Sequence, residues 1–504
     1  MGSTTQPASS QSANHRTATA NSGAPLTLED VDFNRRFNED RPLRPMPPGR
    51  DDVAERWRES CKFMFGNWID VDAELQPSDF TRVRDDLYWQ ADEKIIPVVD
   101  IFEREGPMVA RRMFEKALTE GIDAVPDAPA ELIEFFTELT ETPPWFDRES
   151  AERGRILIST STLSAVRATL GWGLFETIMT SDISSTTGAT ARFKFEAVTR
   201  YIETLRMFAM LLTPKIYDPT TEEFQTVIRV RLMHGLASRG LRKAWGDEHY
   251  LHYGEPIAAT ALLGFGNGPL LARLVDHRLG RPLSTQDLDD LAMFSNWFGF
   301  IIGAPDRLLA KDGMELLRSL NYVFAHGGDP SEYRQEIFQT VRLPFDAYFE
   351  TYMPTLPLWL RNFMTVLGCK AVALLFIGPL VPIFGVKQIE EYVEGVSEFS
   401  SPYRLYGAIF SVTSRINART WALLDRIPRI VEARRRHLRN GTPGIKKTVA
   451  RMAAFARHYR KIALAYTHHD ASPSGAGFGP PRPHPNSLPK TGLGDANVAR
   501  TASG

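Results

Sequence analysis

Two short stretches carry the residue types that could do chemistry: Arg200-Tyr201-Ile202-Glu203-Thr204 and Arg229-Val230-Arg231-Leu232-Met233-His234. In the first, Arg200 and Thr204 are four apart and Glu203 is three from Arg200, so on a helix all three lie on or beside one face. Phe208 and Leu211 continue that face. A charged head on an apolar stripe has to be paired, solvated or turned to a polar ligand, because an isolated buried charge is very costly. An Arg200–Glu203 ion pair, with Thr204 bonded back to a carbonyl, is the plainer reading. A guanidinium, carboxylate and hydroxyl facing a reacting group is the other.

In the second stretch, Val227, Val230, His234, Ala237 and Leu241 recur at helical spacing, which predicts His234 on the buried stripe of a helix over Thr221 to Trp245. A histidine there is either a hydrogen-bonded core residue or a metal ligand. The small neighbours Gly235, Ala237 and Gly240 suit tight helix packing and equally the approach of a flat macrocycle. Arg229, Arg231, Arg239 and Arg242 supply cations for a ligand's acidic groups.

Other constellations are weaker. Glu248, His249, His252 and Glu255 have metal-ligand types, but the stretch between Trp245 and Pro256 reads as a polar surface turn and no H-E-x-x-H helix is present. His468-His469-Asp470 opens a polar tail, a poor place for a preorganised site. The sequence has no G-x-G-x-x-G after a strand, no Walker A sequence and no G-x-S-x-G, so nicotinamide, nucleotide-triphosphate and serine-hydrolase chemistry lose their usual anchors. The two cysteines, Cys61 and Cys369, suggest neither a disulfide framework nor a zinc site and point to a reducing compartment. A formal net charge of −2 gives no electrostatic pull toward nucleic acid.

The elements that must position these residues are helices. Apolar residues recur with a helical period in Phe63, Met64, Trp68 and Ile69, in Val98, Val99, Ile101 and Phe102, and in Leu132, Ile133, Phe135, Phe136 and Leu139. Prolines at 126, 129, 143, 144, 214, 219, 256, 282 and 305 punctuate the runs. The expected fold is all-α, a single large multi-helix domain over 46–468, between a disordered N-terminal arm (1–45) and a disordered C-terminal tail (469–504). Met1 to Ala24 has no basic segment followed by an apolar core, so no secretion signal is expected, and the expected location is cytoplasmic, with peripheral membrane association as an open alternative. Ala371 to Val386 is the most hydrophobic segment; with Pro379 and Pro382 inside it, it reads as a buried core helix with a kinked end, against a membrane-dipping element. Between Arg426 and Lys461 cations interleave with apolar residues, either as an amphipathic helix on anionic lipid or as a solvated face.

In order and spacing, Pro143-Pro144-Trp145-Phe146-Asp147, the R-x-x-E-T of Arg200 to Thr204, the R-V-R-L-M-H of Arg229 to His234 and Gly254-Glu255-Pro256-Ile257 resemble one family, the MpaB-type oxygenases, which include rubber oxygenases. The resemblance covers roughly Glu141 to Ala310. It implies a globin-like, all-α core holding non-covalent haem b, with His234 as the axial ligand of the iron and Arg200 and Thr204 on the distal side. In that frame Glu203 acts as a base or orients Arg200, and Arg229 and Arg231 reach the haem propionates. The family's rubber oxygenases cleave isoprenoid double bonds with dioxygen, so the resemblance implies a haem-dependent oxygenase acting on a hydrophobic, isoprenoid-like substrate. The chain departs from the pattern in two places. No glutamate stands upstream of Arg200 at the distance rubber oxygenases show (Glu176 and Glu196 are nearest), and Ala258-Ala259 follow Pro256-Ile257 where the family often has Asn-Gln. The alternative reading is a non-catalytic helical protein of the same fold that binds lipid or a membrane surface; peroxidase-type haem chemistry at the same His234 and Arg200 is a weaker third.

Overall fold

Among the described residues the helical periodicity is realised in most of the predicted runs, although Trp68 and Ile69 fall in the turn after the first helix, which ends at Phe65. A computed structural model describes residues 51–76, 78–179, 186, 203–266, 268–325, 341–342, 345–346, 348–349, 353–393, 396–438, 447 and 450. Among them the regular structure is all helical. The expected terminal segments 1–45 and 469–504 lie outside the described residues, and so does Arg200.

In chain order the helices are α1 (Asp51–Phe65), α2 (Asp79–Asp86), α3 (Ile95–Glu105), α4 (Pro107–Glu120), α5 (Ala130–Thr140), α6 (Arg148–Ser159) and α7 (Leu163–Met179). They continue with α8 (203–211), α9 (Glu222–Tyr253), α10 (Ala259–Gly266), α11 (Gly268–Arg278), α12 (Thr285–Ile302) and α13 (Gly313–Ala325). The last group is α14 (Leu358–Val372), α15 (Val381–Phe384), α16 (Val386–Tyr392), α17 (Tyr403–Leu424) and α18 (Pro428–Leu438).

The centre of the molecule is α12. Ser284 starts it with a reciprocal cap: its hydroxyl accepts from the Asp287 N–H, and the Asp287 carboxylate accepts from the Ser284 N–H. From Phe294 to Ile302 every residue is buried, as expected of a helix apolar on all sides and surrounded by others. It lies along α6, where Asp290 accepts from Ser150 Oγ at 2.7 Å and from Arg153 Nε and Nη2 at 2.9 and 2.8 Å. The Pro143-Pro144-Trp145-Phe146-Asp147 motif is the entry to α6. Asp147 caps it by accepting from the Glu149 and Ser150 N–H groups. Phe146 stacks 4.3 Å from Trp297 and Trp145 meets Phe300 edge-on.

Two expected boundaries change. The helix carrying His234 does not end at Trp245 in a polar loop. It continues to Tyr253, broken only where Gly246 takes φ +78°, because the buried Tyr250 anchors the extension by donating to the Trp89 carbonyl at 2.7 Å. The apolar segment expected at Ala371 to Val386 belongs to a longer run. Helix α14 leads through a π turn (Ala373–Ile377) and a 3-10 turn (Gly378–Leu380) into α15. That run has a buried side and an exposed side rather than being core throughout. In α5, Leu132, Phe135, Phe136 and Leu139 are buried as the spacing predicts, while Ile133 faces solvent.

Candidate functional site

Of the residues singled out by sequence, Glu203 and Thr204 sit on α8 and Arg229, Arg231 and His234 on α9, which are consecutive among the described helices; Arg200 lies outside the described residues. A 3-10 turn (Pro214–Tyr217) joins them, and Thr221 caps α9 by accepting from the Phe224 N–H. Arg206 pairs with Glu222 across the join. The C-terminal end of α8 is held by Arg155, fully buried on α6, which donates from Nη1 to the Leu212 carbonyl at 2.7 Å and from Nε and Nη2 to Glu152. Met207 and Leu211 of α8 enter the same core as Val227 and Ile228 of α9.

Glu203 is 2% exposed, at the first described turn of α8. A carboxylate at that depth requires compensation from its surroundings or a proton. Thr204 beside it is half-buried.

Helix α9 is locked in register by ion pairs. Arg231 donates to Asp92 from Nε at 2.5 Å and from Nη2 at 2.8 Å, and from Nη1 to the Phe300 carbonyl at 3.3 Å. The same Asp92 caps α3, its Oδ1 accepting from the Lys94 and Ile95 N–H groups. Gly303, the left-handed residue that ends α12, closes the pocket of this pair. A Cβ there would fall 1.9 Å from Asp92 Oδ2 and 2.8 Å from Arg231 Nε. Arg229 makes a forked contact with Glu115 on α4, Nε at 3.1 and 3.0 Å and Nη2 at 2.8 Å. Arg239 pairs with Asp100 on α3, and Arg242 lies 4.1 Å over the Tyr250 ring. Arg229 and Arg231, offered by the sequence to haem propionates, therefore bind carboxylates of this chain, and a propionate would have to compete with Glu115 and Asp92.

His234 is half-buried, less than one turn beyond Arg231. Its neighbour Gly235 is explained by helix packing: a Cβ there would lie 2.8 Å from Ile95 and 3.0 Å from Val99, so α3 and α9 meet at that point. At about 100° per residue the imidazole leaves α9 on a different side from that contact. Ser238 is one turn further along the face of His234, and its hydroxyl donates to Glu255 Oε2 at 3.2 Å. Glu255, just beyond the end of α9, is half-buried, and its backbone N–H donates to the Tyr88 carbonyl at 2.8 Å. Burial raises its pKa, while the Ser238 hydrogen bond and the Arg242 and Arg239 charges pull it back.

The two cysteines are free and buried, and burial pushes both thiols up, Cys369 to about 11. A thiol held protonated is a poor metal ligand. Among the described residues no three His, Cys, Asp or Glu side chains are grouped to hold a bare metal ion. A porphyrin brings four nitrogens of its own and needs one axial side chain, for which an imidazole is suited. The donor set of α9 fits that demand through His234.

Sequence reasoning missed Asp92, Ser238 and the partial burial of Glu255. The signal available for Ser238 was its four-residue spacing from His234; Asp92 had none, being 139 residues from its partner.

No protein-family model matches the chain, and no curated protein matches it in sequence. Among solved structures it is similar to one titled "Structure of Latex Clearing Protein LCP in the closed state". The identity is 14% and the TM-score 0.49, over 66% of this chain and 84% of that chain.

Proposed function

We propose that this chain is a haem b-dependent oxygenase that uses dioxygen on a hydrophobic, isoprenoid-like substrate. The observation that carries the reading is the fixed position of His234. Its helix is clamped by the Arg231–Asp92 pair, less than one turn from the imidazole, and by the Arg229–Glu115 pair, about a turn and a half away, the rigid support a metal ligand needs. The second support is the resemblance of the Arg200–Thr204 and Arg229–His234 motifs to MpaB-type oxygenases.

His234 would hold the iron as its single protein ligand. The haem would supply the redox centre at which dioxygen is activated. Arg200 and Thr204 are assigned as hydrogen-bond donors to negative charge developing on oxygen. Glu203, withdrawn from water, is assigned to orient Arg200 or to hold a proton. The oily substrate class follows from the same motif resemblance, since rubber oxygenases of that family act on isoprenoid chains.

Expression of the full chain with haem supplementation tests this. A Soret band that is lost in His234→Ala, with helical content unchanged, supports axial ligation. Incorporation of labelled dioxygen into carbonyl products from an isoprenoid extract, without added peroxide, supports the oxygenase over the peroxidase. A colourless, fully helical protein would instead favour the non-catalytic lipid-binding reading, to which the exposed apolar side of α14 and α17 lends weight.

A further inference from the structure

Two helices near the C-terminus are built with their large apolar side chains outward. Along α14 and the π turn that continues it, Thr365, Cys369, Ala373 and Ile377 recur every four residues and are buried. The other side carries Trp359 (70% exposed), Phe363, Leu367 and Leu375, spaced by multiples of four and open to solvent. Helix α17 repeats the arrangement. Gly407, Ser414 and Ala418 face inward, while Leu405, Ile409, Val412 and Ile416 face outward, with Ile416 60% exposed. A small residue is required at Gly407, since a Cβ there would lie 2.3 Å from Val381 of α15.

The charges on these helices have one sign. No acidic residue occurs between Glu350 and Glu390, or between Glu398 and Asp425. The same segments carry Arg361, Lys370, Arg404, Arg415 and Arg419, and Arg404 and Arg415 are exposed beside the apolar rows. We propose that the outward sides of α14 and α17 seat this protein on an anionic lipid surface. Long apolar rows interspersed with cations and free of carboxylates match the interface of a bilayer with acidic headgroups, and Trp359 and Tyr406 are of the types that settle at headgroup depth. A second copy of the chain is a poorer occupant, because apposing two such surfaces brings cation against cation with no acid to pair. Crossing the bilayer is disfavoured by the inner side of the same run. The α14–α15 stretch is 27 residues long, but 44% of its most apolar window is buried against the protein, so only one side is available to lipid. The inference stands without the haem reading, since it uses none of the same residues.

Sedimentation of the full chain with vesicles tests it. The protein should pellet with phosphatidylcholine vesicles containing phosphatidylglycerol, much less with phosphatidylcholine alone, and less as salt is raised. Phe363→Glu combined with Ile409→Glu should weaken the association at least tenfold while circular dichroism stays unchanged, because both side chains are solvent-facing. If that variant fails to fold, Leu367→Ser with Ile416→Ser gives the same comparison with a smaller loss. Absence of vesicle binding, equal binding by wild type and a folded variant, or equal binding to neutral and anionic vesicles would overturn the proposal. So would a wild-type dimer in light scattering that the variants convert to monomer without altering vesicle binding.

Discussion

Arg231 and Asp92 share two hydrogen bonds at 2.5 and 2.8 Å, and through them three helices meet: α3, capped by Asp92; α9, which carries Arg231; and α12, whose Phe300 carbonyl accepts from the same guanidinium. Both side chains are less than a tenth exposed, so removing one partner strands the other in a dry environment. Asp92→Ala should cost about 3–5 kcal/mol of stability, read from the denaturant midpoint. Arg229→Ala should cost less, about 1.5–3 kcal/mol, because Glu115 is 30% exposed and water can take over. Equal losses for the two would contradict the assignment of the first pair as the buried keystone.

Gly303→Ala tests the same locus by sterics. The new Cβ would fall on Asp92 Oδ2, at a backbone φ of +101° that L side chains rarely adopt. The variant should be destabilised about as much as Asp92→Ala, and combining the two should give clearly less than the sum, since both break one contact.

Glu255 sets a pH dependence whose sign follows from its raised pKa. Between the ordinary carboxylate value and the raised folded one, the folded chain keeps a proton that the unfolded chain has released. Stability contributed at this site is therefore full at low pH, falls as pH rises across that window and levels off above it. Unfolding midpoints of wild type and Glu255→Gln, measured side by side across pH, should diverge in favour of Gln through the window and run parallel outside it. Parallel curves throughout would remove Glu255 from the account. Ser238→Ala takes away a bond that favours the charged form, so it should extend the window upward.

Arg281, 2% exposed, ties the end of α17 to the corner between α6 and α7. It donates to Asp425 at 2.6 Å, to the Thr160 carbonyl at 2.6 Å and to Asp276 at 3.2 Å. Asp276 keeps the Thr162 N–H and hydroxyl if Arg281 is lost. Arg281→Met should therefore cost about 3 kcal/mol, toward the lower end for a broken buried pair, and should speed protease cleavage in the turn between α17 and α18. Unchanged cleavage would mean that the turn is held by other contacts, Arg434–Asp425 among them.

Neither cysteine should react in the native protein. Both thiols are buried, with their ionisation pushed up by burial, and the thiolate is the reactive form. An aromatic disulfide reagent should modify no thiol within minutes at neutral pH and two after unfolding. Rapid modification of one thiol would report local opening around α1 or α14.

The helical class, the buried stripes of α3 and α5 and the inward position of α9's apolar row were legible in the sequence, because 3.6-residue periodicity is a local property that survives without knowledge of partners. The sequence could not assign the ends of the arginines. Asp92 and Glu115 reach Arg231 and Arg229 from 139 and 114 residues away, and a charge pattern alone does not say whether a guanidinium waits for a ligand or already grips a carboxylate. Nor could it orient α14 and α17. Periodicity shows that a helix has two sides; which side turns inward is set by how closely the neighbouring elements approach, and at Gly407 that approach leaves no room for a Cβ beside Val381.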